Sequence, residues 1–229
     1  MPTPHHIVFI PDGNRRWAKR QGKPAFFGHR AGFKAVETIF ESAMDRGIPY
    51  ITIWGCSIDN ITKRDPKEIA FLYKTFTALF KRLAASQSIR ERGVRIRALG
   101  RWRDYFPPDL QRVINLATEK TKENSSFHLT LLLAYNGNEE MLSAIQKIAK
   151  NKEPITLATV KNSLYTRDLP PVDLVVRTGG DPHFSNGFMM WDIQNAELYF
   201  TDKMWPEFTP AELNRALAFY TAAGRRGGK

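Results

Sequence analysis

The chain has 229 residues, 42% of them hydrophobic, which is enough to bury the core of one α/β domain spanning residues 1–229. Its 34 Lys and Arg against 23 Asp and Glu give a formal charge of +11, which favours an anionic partner such as nucleic acid, a phosphorylated metabolite or an acidic membrane surface. A single cysteine, Cys56, excludes an intrachain disulfide framework and a cysteine-only metal site, and it predicts a reducing, cytoplasmic location.

Apolar runs alternate with segments of helical periodicity along the chain. Runs rich in β-branched and aromatic residues predict strands at 6–10, 50–56, 94–100, 127–135 and 172–177, and a mixed apolar run covers 188–200. A period of 3.6 residues predicts helices at 29–46, 66–86, 109–123 and 138–149. This alternation predicts an α/β fold in which a mostly parallel, twisted sheet is flanked by helices on both faces.

The predicted helix 66–86 carries apolar residues on more than one face, which is a wider apolar surface than one contact with a sheet requires. The pattern alone leaves two interpretations open. The segment is either a core helix packed on two sides or a wall around an apolar ligand.

Polar clusters follow three of the predicted strands: "PDGNRRW" (11–17), "SIDNITKR" (57–64) and "RTGGDPHFSN" (177–186). Ligands of open parallel sheets bind beyond the carboxyl ends of the strands, so we expect these three loops to form one site.

The first cluster has the residue types of a phosphate site. Gly13 permits a turn in which peptide N–H groups point toward one anion, and the neighbouring Arg15, Arg16 and Arg20 can add charge-assisted hydrogen bonds. Asp12 is the only acid of this cluster, and a carboxylate beside a polyphosphate is explained if Mg²⁺ bridges the two. The competing interpretation is a turn whose cations contact only water.

The third cluster, residues 177–186, also has residue types that suit an anion. Arg177 ends a buried strand, where a guanidinium group is costly unless it meets an anion. Gly179 and Gly180 permit close backbone approach, and His183 and Ser185 supply polar groups on the same short loop.

The order and spacing of several motifs resemble one known family, the cis-prenyltransferases, of which undecaprenyl diphosphate synthase is the bacterial type. The matching segments are "DGNRRWAKRQG" (12–22), "GHRAG" (28–32), "SIDN" (57–60), "DLVVRTGGD" (173–181), "SN" (185–186), "WDIQNAELYFTDKMWPEF" (191–208) and "RRGG" (225–228). The resemblance implies a homodimer with a hydrophobic tunnel above the sheet, one wall of which is the helix 66–86. It also implies Mg²⁺-dependent condensation of isopentenyl diphosphate with geranyl or farnesyl diphosphate, giving a Z-polyprenyl diphosphate and releasing diphosphate.

The resemblance further implies roles for individual residues. Asp12, Ser57 and Asn60 are implied as catalytic residues, the last two in proton loss, with the identity of the base left open. Asp12 and Glu197 match the Mg²⁺-associated acids of the family. The substrate-binding residues implied are Gly13, Asn14, Arg15, Arg16, Trp17, His29, Asp59, Arg64, Arg177, His183, Ser185, Arg225 and Gly227, of which the last two reach diphosphate at the partner's site.

The chain also departs from the family pattern. Family members often carry Arg where this chain has Ala25 and His183, and Ile61 replaces an aromatic residue that helps to orient substrate. Gly187 stands as an inserted residue after "SN". These departures leave the preferred substrate open.

Three other functions compete with this one. The altered segment 57–64 and His183 favour irregular, lavandulyl-type coupling of dimethylallyl diphosphate. A non-catalytic partner subunit is disfavoured, because such a subunit has no need of Asp12, Arg16 and Arg177 together. We expect no nucleic-acid partner, because the cations concentrate near three loops and form no basic stripe with interleaved aromatic residues.

Two expectations concern the apolar chain of a prenyl product. Phe76, Phe80, Leu131 and Leu133 are candidates for closing the tunnel floor and setting product length. No window of the sequence approaches the ~20 apolar residues of a spanning helix, so we expect a soluble protein, peripheral to the membrane at most through its product.

Overall fold

Six parallel strands form one sheet in the computed structural model, which describes residues 3–224. They are β1 (His6–Ile10), β2 (Tyr50–Trp54), β3 (Val94–Leu99), β4 (Phe127–Leu132), β5 (Leu174–Arg177) and β6 (Glu197–Phe200). Their order is β3-β4-β2-β1-β5-β6, and all neighbouring strands described pair in parallel. The predicted α/β class with a mostly parallel sheet is confirmed.

Helices follow the strands and cover both faces of the sheet. Residues 3–224 contain α1 (Asn14–Arg20), α2 (Ala25–Met44), α3 (Ile58–Thr62), α4 (Pro66–Ala85), α5 (Gln87–Glu91), α6 (Trp102–Tyr105), α7 (Pro108–Lys120), α8 (Gly137–Asn151), α9 (Leu157–Ser163) and α10 (Pro210–Ala223). None of these helices is long and apolar enough to cross a membrane.

The sheet core is continuous on both faces because side chains alternate along each strand. Ile7 and Phe9 of β1 pack into one hydrophobic cluster with α2, α4, α7 and α10, whereas Val8 and Ile10 pack into a second cluster with Phe188. All five residues of β1 are buried, as expected for a strand covered on both sides.

Several element ends differ from the sequence expectation by one to three residues, and two segments differ by more. Helix α2 begins at Ala25, four residues before the predicted start at 29. In its first turn Phe26 packs on Phe71 of α4, outside the main core. The apolar periodicity of the core therefore did not indicate this turn. Most of the mixed run 188–200 forms turns, and only Glu197–Phe200 is a strand.

Most of the cationic segment 11–17 belongs to helix α1. The competing interpretation was a turn whose cations contact only water. The first residue of α1, Asn14, lies directly on α2, since a Cβ placed on Gly28 would come within 1.9 Å of the Asn14 carbonyl oxygen. Glycine at that position therefore lets the two helices touch and fixes the start of α1 beside the sheet edge.

Candidate active site

A cavity of about 350 Å³ opens at the carboxyl edge of the sheet, between α2 and α4. The three polar loops predicted to meet do line it, and α2 adds the polar side chain of His29. Its apolar wall comes from the helices and from the strand interiors. The polar lining includes Asp12, Asn14, His29, Ser57, Asp59, Asn60, Arg64, Arg177 and Ser185, and the apolar lining includes Phe33, Val36, Ile53, Leu72, Phe76, Leu79 and Leu131.

Asp12 and Arg177 form the centre of the polar end. Arg177 is buried, and its Nη2 lies 3.2 Å from Asp12 Oδ2 while its Nη1 lies 3.3 Å from Ser185 Oγ. On the outer side, Arg16 Nη2 lies 3.3 Å from Asp12 Oδ1 and 3.3 Å from Asp181 Oδ2. Both carboxylates are partly exposed, so they remain accessible to a ligand at the mouth of the cavity.

The backbone around Asp12 is fixed from two sides. The hydroxyl group of Thr178 accepts the Asp12 N–H (2.8 Å) and donates to the Asp12 carbonyl oxygen (2.9 Å), which ties the loop after β1 to the loop after β5. Gly13 has φ of 97°, in the left-handed region, and a Cβ there would approach Met204 within 2.8 Å. Only glycine fits this turn without strain, and the turn presents the start of α1 to the cavity.

Glu68 joins His29 and Arg64 of the cavity wall and lies near Arg15 outside it. Its Oε1 lies 2.9 Å from His29 Nε2 and 3.1 Å from Arg64 Nη1, and its Oε2 lies 4.0 Å from Arg15 Nη1. Burial lowers the pKa of His29, although the hydrogen bond to Glu68 opposes this shift. His29 is therefore a neutral hydrogen-bonding group near pH 7, held in place by α4.

Ser57 and Asn60 form a capping box at the start of α3. The Asn60 N–H donates to Ser57 Oγ (3.1 Å), and the Ser57 N–H donates to Asn60 Oδ1 (3.3 Å). Both residues line the cavity, so the cap holds two uncharged polar groups against it.

A backbone junction anchors the loop that carries Ser185. The Gly137 N–H at the start of α8 donates to the Asn186 carbonyl oxygen at 2.9 Å, and a Cβ on Gly137 would come within 1.7 Å of the Gly187 oxygen. Beneath this junction the buried Tyr135 hydroxyl donates to Glu140 and accepts the Met189 N–H (3.2 Å). Burial raises the pKa of Tyr135 well above its usual range, which keeps the hydroxyl protonated as the donor of this bond.

The family model of undecaprenyl diphosphate synthases, a prenyltransferase family, matches residues 10–228. The chain belongs to this family. A tritrans,polycis-undecaprenyl-diphosphate synthase from Thermoplasma volcanium, named as geranylgeranyl-diphosphate specific, is 34% identical over 235 residues, covering 100% of this chain and 90% of the relative. A ditrans,polycis-undecaprenyl-diphosphate synthase from Coxiella burnetii, named as farnesyl-diphosphate specific, is 35% identical over 232 residues, covering 98% and 96%.

Solved structures agree with this assignment. Lavandulyl diphosphate synthase from Lavandula x intermedia, in complex with dimethylallyl diphosphate, superimposes with a TM-score of 0.87 at 32% identity and covers 95% of both chains. A probable undecaprenyl diphosphate synthase from Campylobacter jejuni superimposes with a TM-score of 0.81 over 100% of both chains, and at 24% identity it supports the fold alone. This prenyltransferase therefore has the fold and enzyme class that the sequence motifs implied.

Only some of the residues for which the family resemblance implies a role line the cavity. Nine of them line the cavity of the prenyltransferase: Asp12, Asn14, His29, Ser57, Asp59, Asn60, Arg64, Arg177 and Ser185. Five do not line it, although they lie on the same loops or on α1: Gly13, Arg15, Arg16, Trp17 and His183. His183 is exposed, with Nε2 3.4 Å from Ser185 Oγ. Arg225 and Gly227 lie outside the described residues.

Glu197 lies apart from Asp12. It is the first residue of β6, paired in register with Leu174, whereas Asp12 follows the carboxyl end of β1, whose Ile10 pairs with Arg177. The three residue steps from Leu174 to Arg177 separate the two ends by about 10 Å along the strands. The two residues thus lie toward opposite ends of the strands, and the role of Glu197 beside Mg²⁺ stays a prediction.

The geometry around Asp12 nevertheless fits Mg²⁺ held jointly with a diphosphate. Mg²⁺ in such sites takes one or two carboxylates and completes its shell with phosphate oxygens and water. Asp12 would supply the protein carboxylate of such a site. Among the described residues no three His, Cys, Asp or Glu side chains form a metal-binding group. Two buried polar atoms in the described chain lack a hydrogen bond, Asn14 Oδ1 and Arg177 Nε, and both belong to residues of the cavity wall.

Sequence reasoning missed several members of the site. Glu68 and Thr178 were not singled out because their contacts join segments distant in sequence, α2 with α4 and β1 with β5. Cys56 lines the cavity as well, but burial raises the pKa of its thiol to about 12, so it acts as an apolar part of the wall.

Two of the four residues expected to close the tunnel floor line the cavity. Phe76 and Leu131 line the cavity, whereas Phe80 and Leu133 are buried in the core away from it. Phe80 lies one turn further along α4, where it packs into the hydrophobic core beyond the cavity lining.

Proposed function

We propose that this chain lengthens an allylic diphosphate by condensing it with isopentenyl diphosphate in cis geometry, giving a Z-polyprenyl diphosphate and free diphosphate. The observation that carries the proposal is the two-part cavity. Its polar end holds Arg177, His29 and Arg64 at the sheet edge, and its apolar end runs between α2 and α4 to Phe76 and Leu79. An amphiphile with an anionic head and a hydrocarbon tail matches this division.

The two diphosphates have separate binding groups in this proposal. The allylic diphosphate binds at the start of α1, where N–H groups, Arg16 and His29 supply hydrogen bonds. Isopentenyl diphosphate binds Arg177 and Ser185, whose side chains are already 3.3 Å apart, with His183 beside them. Placing the substrates on adjacent loops brings the reacting carbons together and lowers the entropic part of the barrier.

The reaction breaks the allylic carbon–oxygen bond and forms a carbon–carbon bond with the alkene of isopentenyl diphosphate. Negative charge builds on the departing diphosphate, and fixed donors aimed at it stabilise the transition state. The Asp12 carboxylate holds the metal in the proposal, and Mg²⁺ when bound neutralises charge on the leaving group. We place the final proton loss beside Ser57 and Asn60, the uncharged polar groups of the wall.

The test is prenyl transfer by the purified chain with Mg²⁺, isopentenyl diphosphate and geranyl, farnesyl or geranylgeranyl diphosphate. Asp12→Ala is expected to lower kcat/KM by about a hundredfold or more, because it removes the carboxylate beside the departing charge. Arg112→Ala is the matched control, since Arg112 is an exposed cation on α7 outside the cavity lining. No diphosphate release with any of these donors, or full activity of Asp12→Ala, would refute the proposal.

The structural likeness to lavandulyl diphosphate synthase favours a second candidate function, irregular coupling of two dimethylallyl units. Chain elongation requires isopentenyl diphosphate, whereas irregular coupling does not. Mass spectrometry of the products made from dimethylallyl diphosphate alone separates the two, and a C10 diphosphate in that reaction would establish the second.

We further propose that the enzyme is a cytoplasmic homodimer that associates peripherally with membranes. Exposed apolar side chains on α8, Leu142 and Ile145, offer surface for subunit contact. Light scattering at twice the monomer mass would support the dimer, and a concentration-independent monomer would reject it.

A further inference from the structure

The start of α2 carries an aromatic patch on the surface, made of Phe26, Phe27 and Phe71. Phe26 and Phe27 are 40% and 37% exposed, and their rings stack with centroids 4.7 Å apart. Phe71 of α4 joins them, with its ring centroid 5.2 Å from that of Phe26. Adjacent exposed aromatic rings on a water-facing surface indicate a contact site.

Exposed cations without an ion pair precede the aromatic patch in the chain, and one of them lies beside it. Residues 13–36 contain seven Lys or Arg and no Asp or Glu. Lys19, Arg20 and Lys23 are exposed and form no ion pair within the described chain, and Lys23 Nζ lies 5.6 Å from the Phe27 ring centroid. The patch is therefore aromatic at its centre and positively charged at its rim.

The aromatic patch also lies next to the cavity. His29 follows Phe26 by three residues on α2, Leu72 follows Phe71 on α4, and both His29 and Leu72 line the cavity. Any molecule docked on the patch is consequently close to the passage between α2 and α4.

We infer that the aromatic patch is the docking surface of this enzyme for a bilayer with anionic headgroups. Aromatic rings insert at the level of the headgroups, and each nearby Lys or Arg adds electrostatic attraction to anionic lipid. A second copy of the chain is a poorer occupant, since two such rims in contact would set like charges against each other. The inference rests on the proposed function in one respect, that a polyprenyl product is a lipid that must reach a bilayer.

Vesicle co-sedimentation of the full chain without substrate tests the inference. The probes are vesicles of phosphatidylcholine alone and of phosphatidylcholine mixed with phosphatidylglycerol. The wild-type chain is expected to bind the anionic vesicles and not the neutral ones. The double variant Phe26→Ser, Phe27→Ser is expected to weaken binding to anionic vesicles roughly tenfold, through loss of inserted aromatic area.

Two further variants keep the test decisive. Lys23→Gln leaves both rings in place and is expected to weaken anionic vesicle binding about fivefold. The pair Ile155→Ser, Leu157→Ser removes side chains that are 85% and 79% exposed elsewhere, and it is expected to bind like the wild type. Unchanged binding by both patch variants, or equal loss in the Ile155, Leu157 control, overturns the inference.

Prenyl transfer is measured separately, with a short soluble donor and without vesicles. Vesicle binding without prenyl transfer would overturn the proposed function and leave the docking surface standing. Prenyl transfer without vesicle binding would overturn the docking surface and leave the proposed function standing. If the double variant changes only the concentration dependence of the molecular mass, the patch is a subunit interface and the lipid inference fails.

Discussion

At the scale of residues, a small number of contacts determines how charge is arranged at the polar end of the cavity. Arg177 is buried at a strand end, where its charge is tolerated because Asp12 and Ser185 both accept hydrogen bonds from it. Asp12 in turn is kept partly exposed and is flanked by Arg16. The same groups that stabilise the empty cavity are therefore those that a diphosphate and a cation would rearrange.

A different buried residue, His6, makes the stability of the fold depend on pH. Its ring contacts Thr52 Oγ1 and the Pro170 carbonyl oxygen at 2.9 Å each, and burial lowers its pKa from 6.5 to about 4, a shift that Asp173 opposes. Between these values the unfolded chain binds the proton more readily, so stability is complete above pH 6.5 and falls toward pH 4. The expected loss is roughly 3 kcal/mol.

Urea unfolding of wild type and His6→Gln at neutral pH and at about pH 4.5 measures this dependence. The variant cannot titrate at this position, so its stability is expected to fall less over the same interval. An identical pH dependence in the two proteins would show that His6 does not carry the effect.

At the scale of elements, α2 and α4 enclose two cavities in series. A second cavity of about 360 Å³ lies further along the same helices, lined by Phe40, Met44, Leu83 and Leu129 among others. Val36 and Leu79 line both cavities and are the shared wall between them. A growing hydrocarbon chain that fills the first cavity would meet these two side chains next.

We therefore expect Leu79→Ala to lengthen the prenyl product by opening the first cavity into the second. Phe80→Ala is the matched control, since Phe80 is equally buried on α4 but lines neither cavity. Both variants are expected to lose about 2–5 kcal/mol of stability, and only the first to shift the product distribution by mass spectrometry. Equal product lengths in wild type and a folded Leu79→Ala would contradict the role of this wall.

The loop that carries Ser185 depends on α8 and on the Tyr135 hydroxyl beneath it. Removing that hydroxyl in Tyr135→Phe leaves Glu140 and the Met189 N–H without their shared partner. The loop that positions Ser185 beside Arg177 then loses its fixed support. We expect the KM for isopentenyl diphosphate to rise about tenfold while the KM for the allylic donor changes little.

Steady-state kinetics with each substrate varied in turn checks this expectation. Ala144→Ser, a small change on the same helix, tests whether any disturbance of α8 has the same effect. An equal rise of both KM values in Tyr135→Phe would indicate general damage to the cavity and would contradict a role in positioning one loop.

At the scale of the whole molecule, much of the fold followed from periodicity. The sequence predicted the first five strands, the parallel sheet and the meeting of three loops, because alternating strands and helices leave few arrangements. It did not predict the Glu68–His29 contact, which depends on how α4 lies against α2. Nor did it separate Glu197 from Asp12, because the end of a strand at which a residue lies is decided by register.

The pairing of β1 with β5 has a consequence for synthesis of the chain. Ile7 and Leu174 are partners in the sheet although 166 residues lie between them, and β5 pairs with the edge of β1 opposite the one that pairs with β2. A nascent chain on the ribosome therefore carries β1, in which four of the five residues are apolar, with one edge unpaired until most of the protein has been translated. Such exposed strands are where premature association begins, so slow translation near the amino terminus offers no protection and chaperone contact with residues 6–10 is expected.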